Sequence, residues 1–235
     1  MSVQGSEGRG DVPTKLEVAR GDATLEAGFT EPRFDLLGNP ADLLRDVFKR
    51  LQPHGPRLAD VRVERGTGSV SDFHVSCYLF NYSMTIRIRV ERVEIVCPDL
   101  RQEHLVRFKA VIVDTLEAVK DHLTDVAFRA FSLAVGLHGT LEGQAAREYL
   151  RQFVSNAPKD LGPPAGSGAV FYFGADADRL LSSLTVDMSA VVPDAVYVRT
   201  QAMWDATRVS IESLPVLADR FVRDGLGRLG LELPE

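Results

Sequence analysis

The sequence predicts an α+β protein: two tandem copies of a strand–helix–three-strand–helix unit, forming a mainly antiparallel sheet with helices on one face. Three observations support this fold class. Apolar residues recur every three or four positions in four stretches, as in amphipathic helices. Between these stretches apolar and polar residues alternate, as in strands with one buried face. Finally, a shift of 110 positions places the helical pattern of Val111 to Leu123 on that of Phe221 to Leu233.

The same shift extends beyond the two helices and indicates where the copies begin and end. It places Ile86 and Ile88 on Val196 and Val198, which lie in alternating, strand-like stretches. We therefore expect a disordered tail at 1–13, a first α+β copy at 14–123 and a second at 124–235, joined as one compact pseudo-twofold unit. Because identity between the copies is low, chance similarity of two α+β segments is the alternative.

The first half begins with a tail that is rich in glycine, serine and charge and has almost nothing to bury. Leu16–Val18 and Ala23–Phe29 flank Gly21-Asp22, which predicts a hairpin. Asn39 followed by Pro40 is typical of a helix start, because asparagine caps free amides and proline suits the first turn.

Three strands and the longest helix complete the first copy. The third strand runs from Ile86 to Cys97, and its apolar positions change parity near Glu91-Arg92, which predicts a β-bulge. The helix spans Leu100 to about Leu123. Asp99 precedes it and can accept hydrogen bonds from the free amides of its first turn.

The second half repeats this order. Ala169–Phe173 is apolar on both sides and predicts a central strand, and Ser213 is expected to cap the last helix. The remaining elements are a strand at Val126–Leu137, a helix at Gly143–Asn156, a strand around Leu184–Met188 and a strand at Ala195–Trp204.

Composition limits the classes of function. The chain has 235 residues, a net charge of −6 and 45% hydrophobic residues, as in ordinary globular proteins, and its acidity argues against a general phosphate-backbone binder. It does not argue against a local basic patch.

The sequence also indicates a compartment. No export signal and no apolar run of about 18 residues is present, so no membrane association is expected. Cys77 and Cys97 then indicate free thiols in the cytoplasm.

Two motifs match catalytic or cofactor patterns by letters alone. Gly225 to Gly230 has dinucleotide-binding spacing but falls inside the last predicted helix, where that motif cannot work, so its glycines are expected to fray the helix end or allow close packing. Asp72, His74 and Ser76 share one strand face, and neighbours on such a face lie about 6.5–7 Å apart, too far for a catalytic triad.

Metal and cofactor signals are equally sparse. Asp176 and Asp178 could hold a hard cation but are more typical of a turn. The five histidines include no pair at metal-ligand spacing. We therefore predict no cofactor and no metal.

In outline, the duplicated architecture resembles the strand–helix–strand modules of gyrase-inhibitor-like and SOUL haem-binding proteins. The resemblance covers architecture alone, because this chain has an additional strand and helix in each copy and shares no motif with them. It implies a small-ligand site in a cleft between the copies.

These features favour a non-catalytic, cytoplasmic protein of a prokaryote that uses an exposed sheet face for protein interaction or assembly. The alternative is a small-ligand-binding module, and a third hypothesis is an enzyme whose catalytic residues are distant in the chain and converge in the fold. The partner-binding residues are predicted to be Arg87, Arg89, Tyr197 and Arg199, because arginine and tyrosine are enriched in interface hot spots. The plainer interpretation is that they keep the face soluble. The predicted partner is another protein or a second copy of the chain, with nucleic acid unlikely.

Overall fold

The computed structural model describes residues 13–38, 40–64, 70–123, 125, 127–153 and 168–234. Over these residues it confirms an α+β fold with ten strands and four α-helices. The strands are β1 (Thr14–Phe29), β2 (Val61–Glu64), β3 (His74–Leu79), β4 (Met84–Arg89), β5 (Arg92–Cys97), β6 (Phe128–Leu141), β7 (Ala169–Phe173), β8 (Arg179–Met188), β9 (Val196–Asp205) and β10 (Leu231–Glu232). The helices are α1 (Pro40–Arg50), α2 (Gln102–His122), α3 (Ala146–Leu150) and α4 (Leu214–Arg228).

All strands form one sheet in the order β2-β3-β4-β5-β1-β6-β9-β8-β7. Neighbours along this order are antiparallel, whereas β10 pairs in parallel with the start of β1. The central pair, β1 and β6, runs from Leu16 opposite Leu141 to Phe29 opposite Phe128. The halves of the chain therefore share a continuous sheet.

One face of this sheet is covered by the helices. Its side chains are the apolar members of the alternating patterns, such as Cys77, Ile86 and Ile95, which are each at most 3% exposed. At the other end of the same face, the Trp204 ring meets Phe221 of α4 edge to face at 6.1 Å. The opposite side of the described sheet carries no helix, and we call it the open face.

The long helix α2 packs with the predicted stripe inward. Phe108, Val111 and Leu116 are each at most 3% exposed. The predicted cap is wrong, however, because the Asp99 carboxylate accepts from the Arg101 guanidinium at 3.0 Å. Ser213 does stand at the N-cap position of α4, as predicted, but its side chain caps no amide of that helix. Its hydroxyl donates to the Ser210 backbone oxygen at 2.8 Å.

The hairpin predicted around Gly21-Asp22 is wrong, since both residues lie within the unbroken strand β1. Gly21 serves a close approach and not a turn. A Cβ there would lie 3.0 Å from the Leu100 carbonyl oxygen, and the Leu100 amide donates to the Gly21 carbonyl at 2.7 Å.

The bulge predicted at Glu91-Arg92 is also wrong. The parity changes because the chain reverses at Val90-Glu91, so that β4 and β5 form an antiparallel hairpin with Ile88 opposite Val93. The predicted central strand, β7, lies at the sheet edge, and its Tyr172 side chain is 76% exposed.

The two-copy repeat is not confirmed and stays a prediction. The first half supplies β1 to β5, whereas the second supplies β6 to β9 and the short β10. Residues 1–12 of the predicted tail, Asn39 and the end of the helix predicted to reach Asn156 lie outside the described residues. None of the described helices is long and apolar enough to span a membrane.

Candidate functional site

The four predicted partner-binding residues all lie on the open face, but in two separate places. Arg87 and Arg89 are on β4, and Tyr197 and Arg199 are on β9. Arg87 shares its row across the sheet with Met203 of β9, four strands away. With about 4.8 Å between strands and 3.4 Å per residue, Arg199 lies about 20–25 Å from Arg87.

The first place is an arginine cluster, formed by Arg87, Arg89, Arg92 and Glu94. Arg92 donates to Glu94 at 2.7 Å, and Arg89 does so at 3.4 Å. The Arg87 guanidinium lies 3.9 Å from the same carboxylate. The Glu94 carboxylate thus holds three guanidinium groups together. Arg92 also lies 3.8 Å from the Glu91 carboxylate, and Glu26 lies opposite Glu94 on β1. The cluster therefore presents outer guanidinium donors within a mixed set of charges.

Glu94 is the anchor of the arginine cluster. It is only 7% exposed. Burial alone would raise the pKa of Glu94, but the hydrogen bond from Arg92 and the charges of Arg89 and Arg92 outweigh burial, so that this pKa is lowered. Glu94 therefore stays ionised and holds the arginines in place on the sheet.

A tyrosine pair, Tyr78 and Tyr82, belongs to the same end of the open face. Their ring centroids lie 5.0 Å apart, and the Arg62 guanidinium lies 5.2 Å from the centroid of Tyr78. The Tyr78 hydroxyl donates to Glu64 at 3.4 Å. Tyr82 is 51% exposed. The pair thus offers an accessible aromatic surface beside the Arg62 side chain.

The β3–β4 turn displays Tyr82 at a conformational cost. Phe80, Asn81 and Tyr82 have φ of 51°, 54° and 67°, in the left-handed region that side chains with a Cβ disfavour by about 1–2 kcal/mol each. Phe80 holds the turn, because its ring meets His54 edge to face and the Arg107 guanidinium lies 5.0 Å from its centroid. Backbone strain of this kind concentrates at functional sites.

The second place is a central cluster, formed by Asp22, His138, Tyr197 and Arg199. Its floor is Gly136: a Cβ there would lie 2.5 Å from the Asp22 Oδ1 atom and 3.0 Å from the Tyr197 hydroxyl oxygen. Carboxylate and phenol therefore converge above a residue without a side chain. Burial and the charge of Asp22 raise the pKa of Tyr197 against the opposing effect of Arg199.

His138 is fixed by two neighbours in this cluster. Its ring stacks on Tyr197 at 4.5 Å, and its Nδ1 atom lies 2.9 Å from the Ser189 hydroxyl. That hydroxyl already accepts from the amides of Val191 and Val192, so its proton is directed to Nδ1. His138 is then neutral with a proton on Nε2. Burial lowers the pKa of His138, which favours this neutral form.

The other candidate residues have structural partners. His74 contacts the Asp72 backbone oxygen at 2.9 Å, and Ser76 donates to Glu64, so that Asp72, His74 and Ser76 form no triad. The Asp176 carboxylate accepts from the backbone amides of Asp178 and Arg179, as in a turn.

The cysteines and glycines of interest are also structural. Cys77 and Cys97 are buried, and burial raises the pKa of each thiol to about 11, so both stay protonated and unreactive. The segment Gly225–Gly230 begins inside α4, and Gly225 packs against Thr200. Within the described residues, no group of three or more His, Cys, Asp or Glu side chains could hold a metal ion.

Sequence reasoning missed Asp22, Tyr82 and His138. The sequence prediction places Asp22 in a turn, although its alternation with the apolar Ala23 and Leu25 is the signal for a strand with Asp22 on the open face. The exposure of Tyr82 depends on left-handed turn residues that carry no sequence signature such as glycine. His138 joins Tyr197 only through the pairing of β6 with β9, which links distant parts of the chain.

No protein-family model matches the chain, and no curated protein matches it. Among solved structures, this chain is similar to the structure of a rolling circle replication initiator protein from Geobacillus stearothermophilus. The TM-score is 0.34 and the sequence identity 11%, over 87% of this chain and 80% of that chain. A TM-score of this size does not establish a common fold.

This comparison corrects two predictions from the sequence. A non-catalytic protein for protein interaction or assembly, with small-ligand binding as the alternative, is contradicted because the similar structure is that of a replication initiator. For the same reason, the predicted partners, with nucleic acid unlikely, are wrong. Net charge is a weak guide to the class of partner, because it averages over the molecule and does not report how charges are distributed on one surface.

Proposed function

We propose that the open face at the arginine cluster and tyrosine pair binds single-stranded nucleic acid. The observation that carries the proposal is Tyr82, a half-exposed ring that a strained turn displays beside Tyr78, on the strand pair that also carries Arg87 and Arg89. Proteins bind single strands by stacking bases on aromatic side chains and tracking the backbone with cationic groups. Both parts occur here on one uncovered sheet face.

Stacking supplies the first part of the binding energy. A base on the Tyr82 ring would extend the existing contact between Tyr78 and Tyr82, and stacking of this kind contributes about 1–3 kcal/mol per base. Duplex DNA hides its base faces within its own stack. The surface is therefore expected to prefer single strands.

The arginine cluster supplies the second part. Arg87 and Arg92 have side chains that are 38% and 37% exposed, so their outer donors can reach phosphate oxygens while Glu94 fixes their stems. The net charge of −6 does not oppose this contact strongly, because charges further than about 8–10 Å are screened at physiological salt. As part of the same proposal we place the activity in the cytoplasm, where free thiols are stable.

Fluorescence anisotropy with labelled single strands of about 12 nucleotides tests the proposal, with a duplex of the same sequence for comparison. Tyr82→Ala is expected to weaken single-strand binding about tenfold, the equivalent of about 1.4 kcal/mol. The matched control is Tyr172→Ala, which removes a more exposed tyrosine at the opposite sheet edge. Equal affinity of wild type for single strand and duplex, or equal losses in both variants, would contradict the proposal.

A further inference from the structure

The central cluster lies on the three middle strands of the sheet and is not used by the binding surface proposed above. Asp22 of β1, Gly136 of β6 and Arg199 of β9 form one row across the open face. Arg20, His138 and Tyr197 form the next row. These residues therefore make one continuous patch, at a distance from the arginine cluster.

Asp22 is the chemically unusual member of this patch. It is half-buried, and the described part of the chain supplies no hydrogen-bond donor and no ion-pair partner to its carboxylate. The Asp22 charge nevertheless acts on Tyr197 and His138. It adds to the effect of burial that raises the pKa of Tyr197, and it opposes the effect of burial that lowers the pKa of His138. A half-buried acceptor without a donor is costly to desolvate, and a ligand that brings donors would remove that cost.

The surroundings restrict what such a ligand can be. The stacked rings of His138 and Tyr197 offer a flat surface beside the carboxylate, which suits a planar ligand. The exposed guanidinium of Arg199 and the Nε2 proton of His138 are donors that suit acceptor atoms on the same ligand. The site thus matches a flat ring with adjacent N–H donors on one edge and acceptors nearby.

Among the nucleobases, guanine has this pattern. Its Watson–Crick edge carries two neighbouring donors, N1–H and the 2-amino group, which one carboxylate can accept together, and O6 beside them is an acceptor. Adenine, cytosine and thymine each place a ring acceptor or carbonyl next to their single donor group on that edge, and a carboxylate repels these atoms.

We propose that the central cluster is a guanine-binding subsite, in which Asp22 accepts from N1–H and the 2-amino group. This inference rests on the proposed single-strand binding and adds a base preference to it. Gly136 is part of the site, because any side chain there would displace the Asp22 carboxylate.

The test uses labelled oligothymidines that carry a single central guanine, inosine or adenine. The base of inosine is hypoxanthine, which is guanine without the 2-amino group, so it lacks one of the two donors while the rest of the ring is unchanged. Wild-type protein is expected to bind the guanine strand about tenfold more tightly than the inosine strand, because a hydrogen bond to a charged group is lost. Asp22→Asn is expected to bind both strands equally.

The outcomes separate the two proposals. Equal wild-type affinity for all three strands would overturn the guanine subsite while single-strand binding stands. No measurable binding of any strand would overturn the proposed function itself, and with it the subsite. Because the comparison of guanine with inosine uses wild-type protein, the result does not depend on the folding of the Asp22→Asn variant.

Discussion

At the scale of single residues, Glu94 links stability to the binding surface. Glu94→Gln removes the charge that two arginines hydrogen-bond, and we expect a loss of about 1.5–3 kcal/mol in the free energy of unfolding at neutral pH. Because the pKa of Glu94 is lowered in the folded state, its contribution is present above the unfolded value of about 4.3 and is lost as pH falls through the folded pKa. Urea denaturation at pH 7 and at low pH measures both effects, and an equal loss at both pH values would contradict this account of Glu94.

Tyr82 tests whether a strained residue serves binding and not stability. Tyr82→Gly relieves about 1–2 kcal/mol of left-handed strain, which stabilises the fold. It also destabilises the fold by about 0.5–1 kcal/mol, because glycine gives the unfolded chain more conformational entropy. We therefore expect the melting temperature to stay or rise slightly while single-strand affinity falls. A destabilisation of more than about 2 kcal/mol by denaturation would instead mark Tyr82 as a packing residue.

At the scale of elements, the two long helices differ in how firmly they are packed. Phe108 of α2 is 3% exposed, and Phe108→Ala is expected to cost about 3–5 kcal/mol. Phe221 of α4 is only partly buried, between Trp204 and the Arg179 guanidinium, so that Phe221→Ala should cost about 1–2 kcal/mol. Equal losses in denaturant would contradict the difference in burial and would favour equivalent helices, as in the predicted repeat.

An element can be predicted where its apolar residues recur regularly over several turns of helix. It cannot be predicted where a short sequence signal is compatible with two different structures. The stripe of Phe108, Val111 and Leu116 placed α2 to within two residues of its structural start. Gly21, however, is equally suited to a turn and to a close backbone approach, and only the contact with Leu100 decides between them. Apolar residues on both sides of β7 suggested a central strand, although strand order depends on pairings that no local pattern encodes.

At the scale of the whole molecule, local alternation predicts which face of the sheet a candidate residue occupies, but not which other residues lie beside it. Alternation put Arg87, Arg89, Tyr197 and Arg199 on one sheet face, and the structure places all four there. Their separation into two clusters follows from the order β4-β5-β1-β6-β9, which the sequence does not specify. The added members, such as Asp22 and Glu94, come from strands whose neighbours are distant in the chain.

The central claim is that the arginine cluster contacts a phosphate backbone, and salt dependence measures such contacts directly. Single-strand affinity should fall with salt at a slope of about −0.7 for each neutralised phosphate in a plot of log affinity against log salt. Arg87→Gln with Arg89→Gln should therefore flatten the slope by about 1.4 if each arginine contacts one phosphate. Arg220→Gln with Arg223→Gln removes the same charge from exposed positions on α4, on the helical side, and should leave the slope unchanged. An unchanged slope in the Arg87 and Arg89 variant, or an equal change in both variants, would contradict the claim.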